Sequence, residues 1–255
     1  MKAVRVYKLG GPALEQEDLL PHLAAEVLRC PDRVLLVHGG GRSVERALAE
    51  RAIESGFVEG RRATSPEAMA VVEMVLSGVV NKALVAGLTR AGVPAVGVSG
   101  RDGGLITAAI DPLLGRAGSP EEVDPALLDT LWAAGLVPVV SPVSSAADGA
   151  PVNVNADEAA LALARAVGAR SLVYLSDVDG VRVGAAAVDA LDAGEAERRI
   201  AAGEIAGGMA LKVRMALDAA AAGIDEVVIA GVARLLGTFP GTCVGMRPVA
   251  QEDRR

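Results

Sequence analysis

Six short runs of mostly β-branched apolar residues, at 4–9, 34–38, 95–99, 137–141, 171–176 and 226–230, recur along the chain and alternate with longer stretches rich in Ala and Leu. Strands that are apolar on both faces must be covered on both faces, and strands alternating with helices predict a largely parallel sheet. The expected architecture is a three-layer αβα sandwich with a mainly parallel central sheet. Helices are predicted near 15–29, 43–54, 66–91, 125–134, 156–167 and 208–222. Ser65 before Pro66 and Asp124 before Pro125 each set a capping side chain ahead of a proline at a helix start. Segments 105–110 and 143–153, the latter with Asp148-Gly149, read as hairpin insertions. No long linker divides the chain, and the tail 251–255 is expected to fray.

Composition narrows the function. At 51% hydrophobic and 22% charged residues over 255 positions, disorder is excluded for most of the length. The only aromatic residues are Tyr7, Phe57, Trp132, Tyr174 and Phe239. The core must therefore be aliphatic, and no base-stacking platform is available. A formal net charge of −7 with scattered basic residues argues against nucleic acid or an anionic membrane as partner. No apolar run is read as long enough to cross a bilayer, and strand-like sequence begins by Ala3, so a cytoplasmic protein without a targeting segment is expected. Two cysteines, Cys30 and Cys243, and two histidines, His22 and His38, supply neither a disulfide framework nor a thiolate or multi-histidine metal site.

Of 25 basic residues only Lys2, Lys8, Lys82 and Lys212 are lysines. A chain that writes positive charge as Arg nearly everywhere keeps Lys where a compact ammonium on a flexible stem is needed. Lys8 ends the first predicted strand and precedes Gly10-Gly11, so its ammonium emerges at the carboxyl edge of the sheet, where open α/β folds bind ligands. The second strand ends in His38-Gly39-Gly40-Gly41 and runs into a helix, which sets bare N–H groups beside the first loop. The named anion motifs fail: no Gly-Lys dipeptide exists, and Gly39-Gly40-Gly41-Arg42-Ser43-Val44 lacks the last glycine of the dinucleotide fingerprint. His38, at the end of a buried strand, reads as a hydrogen-bonded structural group rather than a base.

Farther on, Asn153, Asn155 and Asp157 would share one face of an extended segment, with helix capping by Asn155 or Asp157 as the alternative. Ser176-Asp177-Val178-Asp179-Gly180-Val181 is another turn at a carboxyl edge. Gly207-Gly208 opens a helix with Lys212 in its first turn or two, where a cation is unfavourable unless an anion compensates it.

In this order and spacing, with Gly60-Arg61-Arg62-Ala63-Thr64, Val72 to Gly78, Asn81-Lys82 and Gly100-Arg101-Asp102-Gly103-Gly104, these segments resemble the amino-acid kinase family over essentially the whole chain. Within it they resemble the members that phosphorylate the side-chain carboxylate of N-acetyl-L-glutamate with ATP, the second step of arginine biosynthesis. The resemblance implies that Lys8 and Lys212 bind the transferring phosphoryl group from two sides, with Asp157 holding both ammonium groups. It places Gly11, Gly40, Gly41, Arg62, Asn153 and Asn155 at the acceptor. It places Gly10, Ser176, Asp177, Val178, Gly180, Val181, Glu204, Ile205, Ala206 and Gly208 at the nucleotide. It further implies a homodimer, Mg²⁺ held mainly by nucleotide phosphates and water, an acceptor-binding lobe over 1–150 and a nucleotide-binding lobe over 151–255. Lys82 has no catalytic counterpart and is expected in a structural ion pair. Strand one begins so early that the chain leaves no room for the N-terminal helix of arginine-inhibited members, so insensitivity to arginine is expected. The segment 180–207 is shorter than the family pattern, with Val183 to Ala187 where a hairpin is usual. Two alternatives stay open: a kinase for carrier-linked aminoadipate or glutamate in lysine biosynthesis, and a non-catalytic sensor on the same fold.

Overall fold

A computed structural model describes residues 2–245 other than 59 and 185, so the tail 251–255 lies outside the described residues. The predicted strands form one sheet. It contains β1 (Val4–Leu9), β2 (Arg33–His38), β3 (Ala95–Ser99), β4 (Val137–Ser141), β5 (Ser171–Leu175), β6 (Ala190–Leu191), β7 (Glu226–Ala230) and β8 (Thr242–Val244). The spatial order is β6-β8-β7-β5-β1-β2-β4-β3. The central strands are parallel, and β8 runs antiparallel to β7. The first strand of the sequence is thus central, flanked by β5 and β2, which brings residues far apart in sequence to one edge.

Alternation along β1 sorts the core into two layers. Val4 and Val6 pack with α4 (Ala126–Ala133), α5 (Ala156–Ala166) and α7 (Gly207–Ala221) on one face. Tyr7 and Leu9 pack with α1 (Leu19–Arg29) and the end of α3 (Pro66–Arg90) on the other. Apart from Tyr7 in one layer and Tyr174 in the other, the two layers are built mainly from Val, Leu, Ile and Ala, as the shortage of aromatics requires. Ser65 Oγ accepts the Ala68 N–H at 3.0 Å with Pro66 following, and Asp124 Oδ1 accepts the Ala126 N–H at 3.0 Å.

Helix α3 corrects one expectation. It is 25 residues long and contains an 18-residue window with a mean hydropathy of 1.7, so by length and composition one helix does reach bilayer-spanning size. In this fold it lies on the sheet, with Leu84 and Leu88 in the core.

The insertions Ile106–Ile110 and Val143–Ser145 with Pro151–Val154 close into a four-stranded barrel with Ala117–Val123, a strand the sequence reading did not contain. The turn carries Asp148, whose Oδ1 accepts the Ala150 N–H at 2.9 Å. A Cβ at Gly118 would stand 2.1 Å from the Ala109 carbonyl oxygen, so glycine is required where the barrel strands cross. The shortened segment holds a hairpin of two residues a side, with Arg182–Val183 against Ala186–Ala187.

Candidate active site

The site lies at the carboxyl edge of β1, β2 and β5. Beyond the strand ends the ladder continues, with the Gly10 N–H donating to Leu175 O and the Gly39 N–H to Leu9 O, both at 2.9 Å. Two glycine loops thereby stack backbone on backbone: a Cβ on Gly11 would meet the Gly41 nitrogen at 3.3 Å. Side-chain-free peptide units are what a bound anion needs for close approach.

Lys8, the penultimate residue of β1, points its ammonium at Asp157 in the first turn of α5, Nζ to Oδ1 2.7 Å. Lys212, in the second turn of α7, reaches the same oxygen from the other side at 3.5 Å. All three side chains are 14% exposed or less. Burial alone would push the Asp157 carboxyl upward, but the two ammonium groups outweigh it and hold it below the usual carboxylate range. Burial, then the like charge of Lys8, pulls Lys212 down to about 8, with Asp157 opposing. Two cations on one carboxylate leave a net positive charge in a nearly dry place, a demand for an anion. The Lys212 ammonium also lies 5.7 Å from the ring centre of Tyr174, whose buried hydroxyl has no hydrogen-bond partner among the described residues.

A cavity of about 400 Å³ opens beside Lys8 and Asp157, walled by Gly11, Gly39-Gly40-Gly41, Arg62, Asn153 and Asn155 among others. Asn153, Asn155 and Asp157 all border it, but Val154 and Ala156 do too, because the strand ends at Val154 and the helix begins at Ala156; the expected one-faced row of an extended segment is corrected. Asn155 takes the capping alternative: its Oδ1 accepts the Asp157 N–H at 2.7 Å, and its Nδ2 donates to Gly60 O at 3.0 Å. Asn153 Nδ2 donates to Thr64 Oγ1 at 3.0 Å, and that hydroxyl donates to Arg62 O at 2.7 Å, which ties the amide to the strand carrying Arg62. The Arg62 guanidinium, 7% exposed, lies 4.4 Å over the Phe57 ring and pairs with Glu45 at 3.0 Å. Phe57 and Glu45 have no role assigned from sequence because nothing local marks them, and Thr64 enters only as the last residue of the Gly60 to Thr64 segment. The α2 helix (Gly41–Ala49) carries Glu45 to the cavity, and a hairpin of Phe57–Val58 with Arg61–Arg62 carries Phe57 there and leads on to Thr64 beside Asn153.

The predicted nucleotide residues divide. Ser176 follows β5, its N–H donating to Ala230 O at 2.8 Å and its hydroxyl to Asp177 Oδ1 at 3.0 Å. Val178, Gly180 and Val181 continue that turn, and the Val181 N–H donates to Thr242 Oγ1 at 2.8 Å. Asp177 adds negative charge near Lys212. Ala206 precedes α7, whose N-terminus has no side-chain cap and no acidic residue in its first turn, with open space around Gly207 and Gly208. Ile205 is buried, and Glu204 is engaged by Arg199 at 2.8 Å.

His38 is fully buried. Its Nδ1 lies 2.8 Å from Gly39 O and its Nε2 3.1 Å from Asn81 Nδ2, an arrangement in which Nδ1–H donates and Nε2 accepts. Burial pulls its pKa down to about 4, so it stays neutral near pH 7. The ion pair expected for Lys82 is corrected: the ammonium donates to Gly97 O at 2.8 Å and Asn81 Oδ1 at 3.0 Å, because its partners at the sheet edge are carbonyls.

A parallel sheet that closes two ammonium groups over one carboxylate, beside bare glycine N–H groups and an uncapped helix start, is equipped to neutralise a phosphoryl group in transit, which defines a kinase. A model described as the amino acid kinase family matches residues 3–231, and the chain belongs to that family. It is 46% identical over 215 residues to an acetylglutamate kinase of Rubrobacter xylanophilus, covering 84% of this chain and 85% of that one. It is 43% identical over 249 residues to an acetylglutamate kinase of Geobacillus kaustophilus, covering 94% and 95%. Among solved structures, smu.665 from Streptococcus mutans superposes with a TM-score of 0.85 at 25% identity, covering 96% of this chain and 99% of that one.

Proposed function

We propose that the protein transfers the terminal phosphoryl group of ATP to the side-chain carboxylate of N-acetyl-L-glutamate, giving the acyl phosphate, the second step of arginine biosynthesis. The observation that carries the reading is the convergence of Lys8 and Lys212 on one oxygen of Asp157. The acceptor carboxylate is already ionised at neutral pH, so no base is needed to activate it. Catalysis then reduces to positioning and charge neutralisation. Lys8 approaches the phosphoryl group from the acceptor side with the Gly11, Gly40 and Gly41 backbone. Lys212 approaches from the nucleotide side, and Asp157 holds the two ammonium groups together against their mutual repulsion. Arg62, Asn153 and Asn155 hold the acceptor. Gly10, the turn Ser176, Asp177, Val178, Gly180 and Val181, and the stretch Glu204, Ile205, Ala206 and Gly208 hold the nucleotide. Residues 1–150 then act as the acceptor lobe and 151–255 as the nucleotide lobe.

Mg²⁺ chelated by the nucleotide supplies further neutralisation of phosphate charge. Among the described residues no three His, Cys, Asp or Glu side chains gather for a metal, and Asp157 is committed to its lysines. That donor set fits an ion carried by phosphate oxygens and water. The enzyme is proposed to act in the cytoplasm as a homodimer joined through α3, whose Met74 and Val79 are 46% and 60% exposed.

Hydroxylamine traps acyl phosphates as hydroxamates, so incubation with ATP and one acceptor at a time tests the reaction. Hydroxamate from N-acetyl-L-glutamate, and little from free glutamate or aminoadipate, is the expected result. None from N-acetyl-L-glutamate would refute the assignment, and a preference for aminoadipate would move the enzyme to lysine biosynthesis.

A further inference from the structure

The Arg62 guanidinium stands in the wall between two cavities. On one side is the acceptor cavity. On the other is an open cavity of about 820 Å³, lined by Leu48, Ile53, Ser55, Thr64 and Leu114 among others. Glu45, in the second turn of α2, borders both. Its Oε1 accepts from Arg62 Nη2 at 3.0 Å. Among the described residues the remaining contacts of the guanidinium are neutral: the Phe57 ring at 4.4 Å, Ser55 Oγ at 3.2 Å and Gly41 O at 3.5 Å. The pair is lopsided, Arg62 being 7% exposed and Glu45 53%.

Given the proposed role of Arg62 at the acceptor, we propose that Glu45 is a resident competitor for the acceptor's main-chain carboxylate. It occupies the guanidinium while the cavity is empty and turns out to solvent when N-acetyl-L-glutamate arrives. A buried cation left without a counter-charge is costly, so an arginine placed to grip a carboxylate needs a partner before the substrate comes. A half-exposed glutamate provides one that is weakly held and screened by water, and therefore easily displaced. One carboxylate replaces another, so the charge on Arg62 stays balanced throughout. The exchange also selects its ligand: an acceptor whose main-chain carboxylate is an amide has nothing to displace Glu45 with. Affinity is set below what Arg62 alone would give, which favours release of a labile acyl phosphate.

The test is a calorimetric titration of N-acetyl-L-glutamate, without nucleotide, into wild type, Glu45→Gln, Arg62→Ala and the double variant. Glu45→Gln is expected to bind roughly three- to fivefold tighter, the equivalent of a partly exposed ion pair. In the Arg62→Ala background the same change is expected to have no effect, because there is no guanidinium left to contest. Unchanged or weaker binding in Glu45→Gln overturns the proposal. So does an equal gain in both backgrounds, which would be loss of general repulsion between two anions. If Arg62→Ala itself leaves affinity untouched, the acceptor role of Arg62 fails and the competitor role falls with it. Arg62→Met, which keeps the stem over Phe57, replaces the alanine variant if that one does not fold.

Discussion

Asp157 is the residue on which the site's electrostatics turn. Its carboxylate keeps two buried ammonium groups 2.7 and 3.5 Å from one oxygen, and an amide there would leave both cations without a counter-charge. Asp157→Asn is therefore expected to cost about 3 kcal/mol or more of stability, read from denaturant midpoints, besides its loss of activity. An unchanged midpoint would mean the triad is looser than its distances say. Lys212 makes a second prediction. With burial and Lys8 holding it to about 8, it is charged below that pH and neutral above, and only the charged form attracts phosphate. Because kcat/KM reports the free enzyme, kcat/KM for ATP is expected to fall as pH rises through about 8. A profile flat to beyond pH 9 would contradict the assigned environment.

At the scale of elements, α7 shows a conflict between stability and function. Gly208 sits in its first turn with nothing within 4 Å of where a Cβ would go and with no positive φ, so alanine fits and is the better helix former. Gly208→Ala is expected to leave stability unchanged or raise it by up to about 1 kcal/mol while raising KM for ATP several-fold, because the added methyl stands where phosphate would approach the helix N-terminus. A lower KM, or none but a stability change, would remove this helix start from the nucleotide site. The elements themselves were legible wherever one physical signal dominated. Uniform apolar runs gave the central strands to within a residue, and Ser65-Pro66 gave the start of α3. Ala117–Val123 was not legible, since Gly118, Ser119, Pro120 and two glutamates carry no strand preference and only the barrel's partners hold them extended. The helix Ala193–Ala201 had a readable signal that went unread, Asp192 capping the Glu195 N–H at 2.8 Å. At the site, Lys8, Asp157 and Lys212 stood out by residue type and position. Glu45 and Phe57 did not, because their meaning comes from proximity to Arg62 across 17 and five positions of chain.

For the whole molecule, the apolar face of α3 and the sheet topology each lead to a measurement. A closed two-fold contact needs one self-complementary patch, and in the proposed dimer the exposed Met74 and Val79 would supply it. Light scattering is expected to give a mass near twice 25.8 kDa, and Val79→Glu to reduce it to the single-chain value. A wild-type monomer would exclude this contact. Lys8 lies in the first strand and Lys212 more than two hundred positions later, and the central place of β1 beside β5 is what brings them to one carboxylate. Both must act on the same phosphoryl group for the chemistry described. The most direct measurement is single-turnover transfer from ATP by Lys8→Arg and Lys212→Arg, each first shown to be folded by its melting curve. A planar guanidinium cannot replace a compact ammonium in so tight a place, so each rate is expected to fall by roughly 100-fold or more with the fold intact. Transfer at near wild-type rate in either folded variant would contradict the account.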